Sequence, residues 1–291
     1  MLRALLCTLW IALGPAPDAQ AQDAASLHTR HAALREQLAS NVFHRALYLE
    51  STETSDGLKG DVYAQLEQPY AHARLALQGI GPWCDILILH LNVKACHAVA
   101  HKDGDMLRLD VGRKAEQAPE DAYRFDFSYN VVTASPDYLQ VALRAEQGPL
   151  GTRQYRIVLE VGALDSRHSL VHLSYAYEHG VTARLAMQTY LSTVGRGKVG
   201  FSVVGHQADG KPVYIGGLRG VVERNTMRYY LAIVAYLDAQ AAPAPQQLER
   251  RLNAWHTSVE RYPIQLHELE RDDYLSMKRR EVERQRRPAA P

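Results

Sequence analysis

From Tyr123 to Tyr177 the chain is a succession of long strand patterns separated by turns too short to hold anything else. "YRFDFSYNV" alternates without a break, with Tyr123, Phe125, Phe127, Tyr129 and Val131 on one face and Arg124, Asp126, Ser128 and Asn130 on the other, the period-two signature of a sheet that is buried on one side and wet on the other. "DYLQVALRAE" follows the Ser135-Pro136 turn, "TRQYRIVLEV" follows "GPLG", and "HSLVHLSYAY" follows "LDSR". Consecutive strands joined by tight turns can only run antiparallel, so this stretch predicts a meander.

The segment before it supplies a hairpin and a short helix. "HRALYLEST" and "LKGDVYAQL" flank Asp56-Gly57, a strong two-residue turn signal. "PYAHARLALQG" reads as a helix with Pro69 in its first turn and Gly79 past its end. "DMLRLDVG" follows Asp103-Gly104 as a further strand. Near the start, Ser26 can cap a helix running to about Ser40, with Leu27, Leu34 and Leu38 near helical spacing. After the meander come a helix "VTARLAMQTYLST", a glycine-rich hairpin turning at Asp209-Gly210, and the long "RGVVERNTMRYYLAIVAYLDA". The last offers Val222, Met227, Tyr230, Ile233, Val234 and Leu237 to a packed face. Its charges at Glu223, Arg224 and Arg228 form no clean ion-pair ladder and are expected on a solvated face.

"GPWCDILILHLNVKAC", residues 81–96, carries Cys84 and Cys96 at the ends of an apolar run. Their role depends on compartment. The chain opens with Arg3, an apolar stretch from Leu5 to Leu13, and Ala19-Gln20-Ala21, the three regions of a secretory signal peptide spanning residues 1–21. Cys7 would leave with it. The expected location is periplasmic or secreted, and there a lone cysteine pair is expected to form a disulfide. A free buried pair and a metal site adding His90, His97 and His101 to Cys96 are the alternatives, the latter lacking any recognisable zinc spacing. A disulfide would require the segment to fold back on itself, with Asn92 suited to the turn.

The chain has 291 residues, 46% of them hydrophobic, and a formal charge of +1. That balance excludes global disorder and gives no basic field for nucleic acid. No stretch after the leader reaches the roughly 20 apolar residues of a membrane helix. Gly-x-Ser-x-Gly, His-Glu-x-x-His and dinucleotide fingerprints are absent. In "GRGKVGF", Gly195, Gly197, Lys198 and Gly200 have the wrong spacing for a P-loop, and a turn before a strand is expected. His168 and His172 stand four apart and are read as part of a wet sheet face, while Asp85 with His90 and Glu160 with His172 are conceivable acid/base pairs. No metal and no cofactor is expected.

The order of strand pair, helix beginning "QPYAHARLAL", long antiparallel strands and final helix "VVERNTMRYYLAIVAYL" resembles the START-like helix-grip superfamily, also called SRPBCC. The resemblance covers about residues 44–240 and is one of pattern, without a residue-level signature. It implies an α+β fold in which a curved antiparallel β-sheet grips a long C-terminal helix over a hydrophobic cavity. Around this domain stand an N-terminal helix in residues 22–43 and, after the "AAPAPQQ" linker, a charged helical C-terminal extension in residues 241–291. The extra helix from Val181, the glycine-rich hairpin and the C-terminal helices depart from the family pattern. The extension is expected to solubilise the chain's end, with contact to anionic lipid head groups or to a protein partner as the other uses of its helices.

Sixteen tyrosines against four phenylalanines suit a semi-polar cavity. On the helix-grip reading the ligand-binding candidates are Arg153 and Tyr155 on one strand face, Tyr175 and Tyr177 on the next, and Tyr190, Arg228 and Tyr229 on the covering helices. The function implied is an exported carrier or sensor of a hydrophobic or amphipathic, lipid-like molecule. A cyclase-like enzyme on the same scaffold and a ligand-free envelope interaction module are the alternatives.

Overall fold

A computed structural model of the chain describes residues 23–100, 102, 104–192 and 196–286. The leader reading at residues 1–21, with Cys7, lies outside the described residues, as do His101, Gly195 and residues 287–291. The first helices are α1 (Ala24–Ala33) and α2 (Arg35–Ala39), followed by β1 (Leu47–Glu53), β2 (Gly57–Leu66), α3 (Tyr70–Leu77) and α4 (Ile80–Leu87). Then come β3 (Val93–Val99), β4 (Met106–Val111), β5 (Tyr123–Ala134), β6 (Tyr138–Gln147), β7 (Thr152–Ala163) and β8 (Ser169–His179). α5 (Val181–Ser192), the hairpin β9 (Val203–His206) and β10 (Pro212–Tyr214), and α6 (Gly217–Ala239) lead to α7 (Ala244–Val259), α8 (Pro263–Leu266) and α9 (Arg271–Arg286).

β1 to β8 form one antiparallel sheet in the order β1-β2-β8-β7-β6-β5-β4-β3. The expected strands form the meander β4 to β8, β3 adds an edge strand that the sequence did not mark, and the N-terminal hairpin closes onto the other side because β2 pairs with β8, Gly57 opposite Glu178 and Leu66 opposite Ser169. The Asp56-Gly57 turn is where the spacing predicts it, with Thr54 Oγ1 accepting the Gly57 N–H at 2.9 Å. On β5, Phe125, Phe127 and Tyr129 are buried as the alternation requires, while Tyr123 and Val131 at its ends are exposed. The inner face of the sheet holds α6, which packs on β1, β2, β8 and α4. This is the helix-grip arrangement.

Three local expectations need correction. The N-terminal helix is capped by Asp23, whose Oδ1 accepts the Ser26 N–H at 2.8 Å, and it breaks at Leu34 before resuming as α2. Asp23 sits one residue before the first helical turn, where a short carboxylate best satisfies an orphan N–H. Glu223, Arg224 and Arg228 are buried, not solvated. Glu223 accepts from Ser51 Oγ at 2.6 Å and from the Phe201 and Ser202 N–H groups at 2.6 and 2.9 Å, so its charge is spent joining β1 and the segment after residue 199 to α6.

The C-terminal helices are not merely a solubilising end. Lys278 and Glu281 on α9 pair at 2.7 Å, Lys94 on β3 meets Glu281 at 3.1 Å, and all three side chains are fully buried. Lys278 Nζ also donates to the His90 and Val93 carbonyls at 2.7 and 2.9 Å. A buried charge is tolerable only with partners of this kind. Leu252, Trp255, Leu266 and Tyr274 join the same core as the sheet and α6, so these apolar faces are satisfied within the chain.

Cys84 on α4 and Cys96 on β3 form a disulfide with Cα atoms 5.2 Å apart. The chain reverses between them, and Asn92 Nδ2 donates to the Gly112 carbonyl at 2.9 Å to hold the bend. Closing a loop of this length stabilises by about 3 kcal/mol on the chain-entropy account. Replacing both cysteines by serine should therefore lower stability in urea by about 3 kcal/mol. An unchanged unfolding midpoint would show that the bond adds nothing.

Candidate ligand cavity

α6 covers one side of the sheet's inner face, and over β4 to β7 sheet and helix part. A cavity of about 710 Å³ lies there, within the range that holds small-molecule ligands. Its apolar wall is made by the inward positions of four strands, among them Leu109, Phe127, Leu143 and Ile157. Alternation on each strand puts these side chains inward and their neighbours outward. Tyr155 stands edge-on to Phe125, ring centroids 5.0 Å apart, and stacks on Tyr177 at 5.1 Å. This aromatic layer is the floor.

The wall is polar where the loop after β4 and the turn before α9 approach α6. Lys114 Nζ contacts Glu268 Oε1 at 2.5 Å, and Arg228 Nη2 meets the same oxygen at 2.8 Å. Burial, then the Arg228 charge, pushes the Lys114 amine down to about 8 in spite of Glu268. Burial would raise the Glu268 carboxyl, but Lys114, Arg228 and Lys198 outweigh it and hold it below the usual range. His90 lies in this wall, its ring 4.9 Å from that of Tyr229. Burial, with the charges of Arg228, Lys278 and Lys114, keeps its imidazole well below the ordinary 6.5 and therefore neutral. Its Nδ1 accepts the Asn92 N–H at 3.2 Å, which assigns the ring proton to Nε2. That Nε2 finds no hydrogen-bond partner among the described residues.

Of the ligand-binding candidates, Tyr155, Tyr175, Arg228 and Tyr229 line this cavity. Tyr177 is buried behind Tyr155, its hydroxyl 3.8 Å from Met187 Sδ. Arg153 points away. The register of β7 against β8 slips between Arg153 and Arg156, and Gln154 has φ of +52°, so a bulge breaks the alternation that would have put Arg153 beside Tyr155. Arg153 instead pairs with Glu178 at 2.9 Å on the exposed surface. Tyr190 belongs to α5. Lys114 and Glu268 were not singled out from sequence. Both lie outside regular elements, where no periodicity marks which side chains turn inward. Lys198, from the glycine-rich stretch, donates to the His267 carbonyl at 2.6 Å and serves as a tether to the Glu268 turn.

Glu160 and His172 do meet, but outside the cavity. On the outer face of the sheet His172 Nδ1 contacts Glu160 Oε2 at 2.5 Å and Nε2 contacts Asp61 Oδ1 at 2.8 Å. Tyr63 stacks on the ring at 4.2 Å and the Tyr138 hydroxyl donates to Glu160. His172 is 2% exposed, so this part of the sheet is not a wet face. Leu27 of α1 covers it beside Tyr138 and Leu170. His168 lies in the turn before β8 between Asp165 and Glu67. Asp85 pairs with Arg251 at 2.7 Å rather than with His90.

Burial pulls the His172 imidazole down, but hydrogen bonds and charges from Asp61 and Glu160 outweigh it and raise it. A raised base contributes its full stability below its unfolded value of about 6.5 and loses it as pH climbs through the folded value. His172→Ala should cost about 3–5 kcal/mol at pH 6, since it leaves two carboxylates buried together. Urea denaturation across pH should show this cost shrinking above about 6.5. A cost that holds constant into the alkaline range would contradict a charged imidazole.

The fold is START-like. Strand order, the helices between β2 and β3 and the seating of α6 define it. No family model matches the chain, and no curated protein matches it in sequence. Solved structures that match it include an aromatase/cyclase from a Streptomyces species, at 10% identity and a TM-score of 0.39 over 68% of this chain and 98% of that one. A norcoclaurine synthase point mutant from Thalictrum flavum matches at 10% identity and 0.35, over 49% and 89%. A START superfamily protein from Mycobacterium smegmatis matches at 13% and 0.32, over 48% and 93%. Superpositions at these scores carry no functional argument.

Proposed function

We propose that the chain is an exported protein that holds a hydrophobic or amphipathic, lipid-like small molecule between sheet and helix, as a carrier or sensor. The observation that carries this reading is the cavity itself. An interaction module needs no void, and a void of about 710 Å³ forfeits packing that neighbouring core side chains otherwise gain. An apolar body inside it recovers those contacts. The Cys84–Cys96 disulfide supports export to an oxidising compartment. Among the described residues no helix is long and apolar enough to cross a membrane.

Native mass spectrometry of the full chain purified from its own envelope should reveal a stoichiometric adduct that organic extraction releases as an apolar or amphipathic molecule. A clean apo mass that envelope lipids do not shift would defeat the reading. Ile157→Trp, which projects bulk into the cavity from its apolar wall, should weaken retention at least about tenfold while the chain still folds cooperatively, the bulk entering space already present. Retention unchanged by this substitution would place the molecule elsewhere.

A further inference from the structure

We infer that the ligand's polar end is an anion, a carboxylate or a phosphate monoester, and that Glu268 holds that anion's place in the free protein. The inference rests on the cavity reading above and specifies its ligand. Among the described residues the cavity wall contains four cationic side chains, Arg113, Lys114, Arg224 and Arg228, against a single carboxylate, Glu268. Two of the cations converge on that carboxylate from different elements, Lys114 from the loop after β4 and Arg228 from α6. Arg224 is held by the Val199 carbonyl at 3.1 Å.

Glu268 does not belong to the sheet or to α6. It sits in the short turn between α8 and α9 and is 13% exposed, while Arg228 is 1% exposed. A carboxylate brought to the cavity by a turn can be exchanged for one brought by a ligand, because the guanidinium and the ammonium need an anion and not this anion. His90 stands in the same wall, its neutral Nε2–H buried and without a hydrogen-bond partner among the described residues. An oxyanion accepts from such a donor, whereas a cationic head group would meet four like charges. The leading end of the ligand is thereby fixed in sign.

The test compares one chain length with different heads: dodecanoate, dodecyl phosphate, dodecanol and dodecyltrimethylammonium, titrated against the full-length protein by calorimetry. The expected result is dodecanoate or dodecyl phosphate binding about 10- to 100-fold tighter than dodecanol, and the ammonium compound weakest of all. The ratio of the two anions tells a carboxylate site from a phosphate site. Lys114→Met should reduce dodecanoate affinity about tenfold and narrow the acid-to-alcohol ratio, whereas Glu268→Gln should raise dodecanoate affinity by removing the internal competitor. The wild-type acid-to-alcohol ratio needs no variant, so a misfolded substitution does not remove the test. Equal affinity for acid and alcohol would overturn the anion assignment and leave the cavity reading standing. No binding by any of the four, together with a clean apo mass, would overturn both. Glu268→Gln weakening dodecanoate would show that Glu268 supports the site and does not compete for it.

Discussion

At Gly60 the sheet and α6 come so close that a Cβ would lie 2.3 Å from Thr226 Oγ1. Only glycine allows the helix to seat this deeply on β2, and the depth on this side sets the separation on the other. α6 is held down on β1, β2 and β8, and Glu223 ties it further to Ser51 and Ser202. A straight helix resting on one side of a curved surface must stand off the other, and over β4 to β7 the gap becomes the cavity. The void follows from the contact.

Around this wedge the chain uses buried charge as fastening. Lys94, Lys278 and Glu281 fix α9 to β3, and Lys114, Arg228 and Glu268 join the β4 loop, α6 and the turn before α9. On the outer face, Asp61, Glu160 and His172 form a third cluster beneath α1. The three differ in what surrounds them. The acids and bases of the first and third are buried, with Lys59 pairing with Asp61 from the surface of the third at 2.9 Å, whereas the second borders the cavity, where a small molecule meets its charges.

The regular part of this architecture is legible in the sequence. The alternation in "YRFDFSYNV" marks Phe125, Phe127 and Tyr129 as buried, Asp56-Gly57 marks its hairpin, and the apolar positions of α6 mark its packed face. Buried charges are mostly not legible, because periodicity sends Lys278, Glu281, Glu223 and Arg224 to solvent. Their partners stand elsewhere in the chain, as with Lys94 and Glu281, and only tertiary structure brings them together. The bulge at Gln154 hides Arg153's true direction for a related reason: one residue in the left-handed region shifts the phase of the strand, and glutamine gives no sign of it. A cavity is harder still, since it consists of side chains that do not meet.

The central claim is that the space between α6 and β4 to β7 is where a ligand resides. Crystals of the full chain grown with ω-bromododecanoate would test it directly through the anomalous signal of bromine. The account predicts a bromine peak among Phe127, Leu143 and Ile157, with the carboxylate toward Lys114 and Arg228. A cavity without bromine, or a peak only on the outer surface, would contradict it.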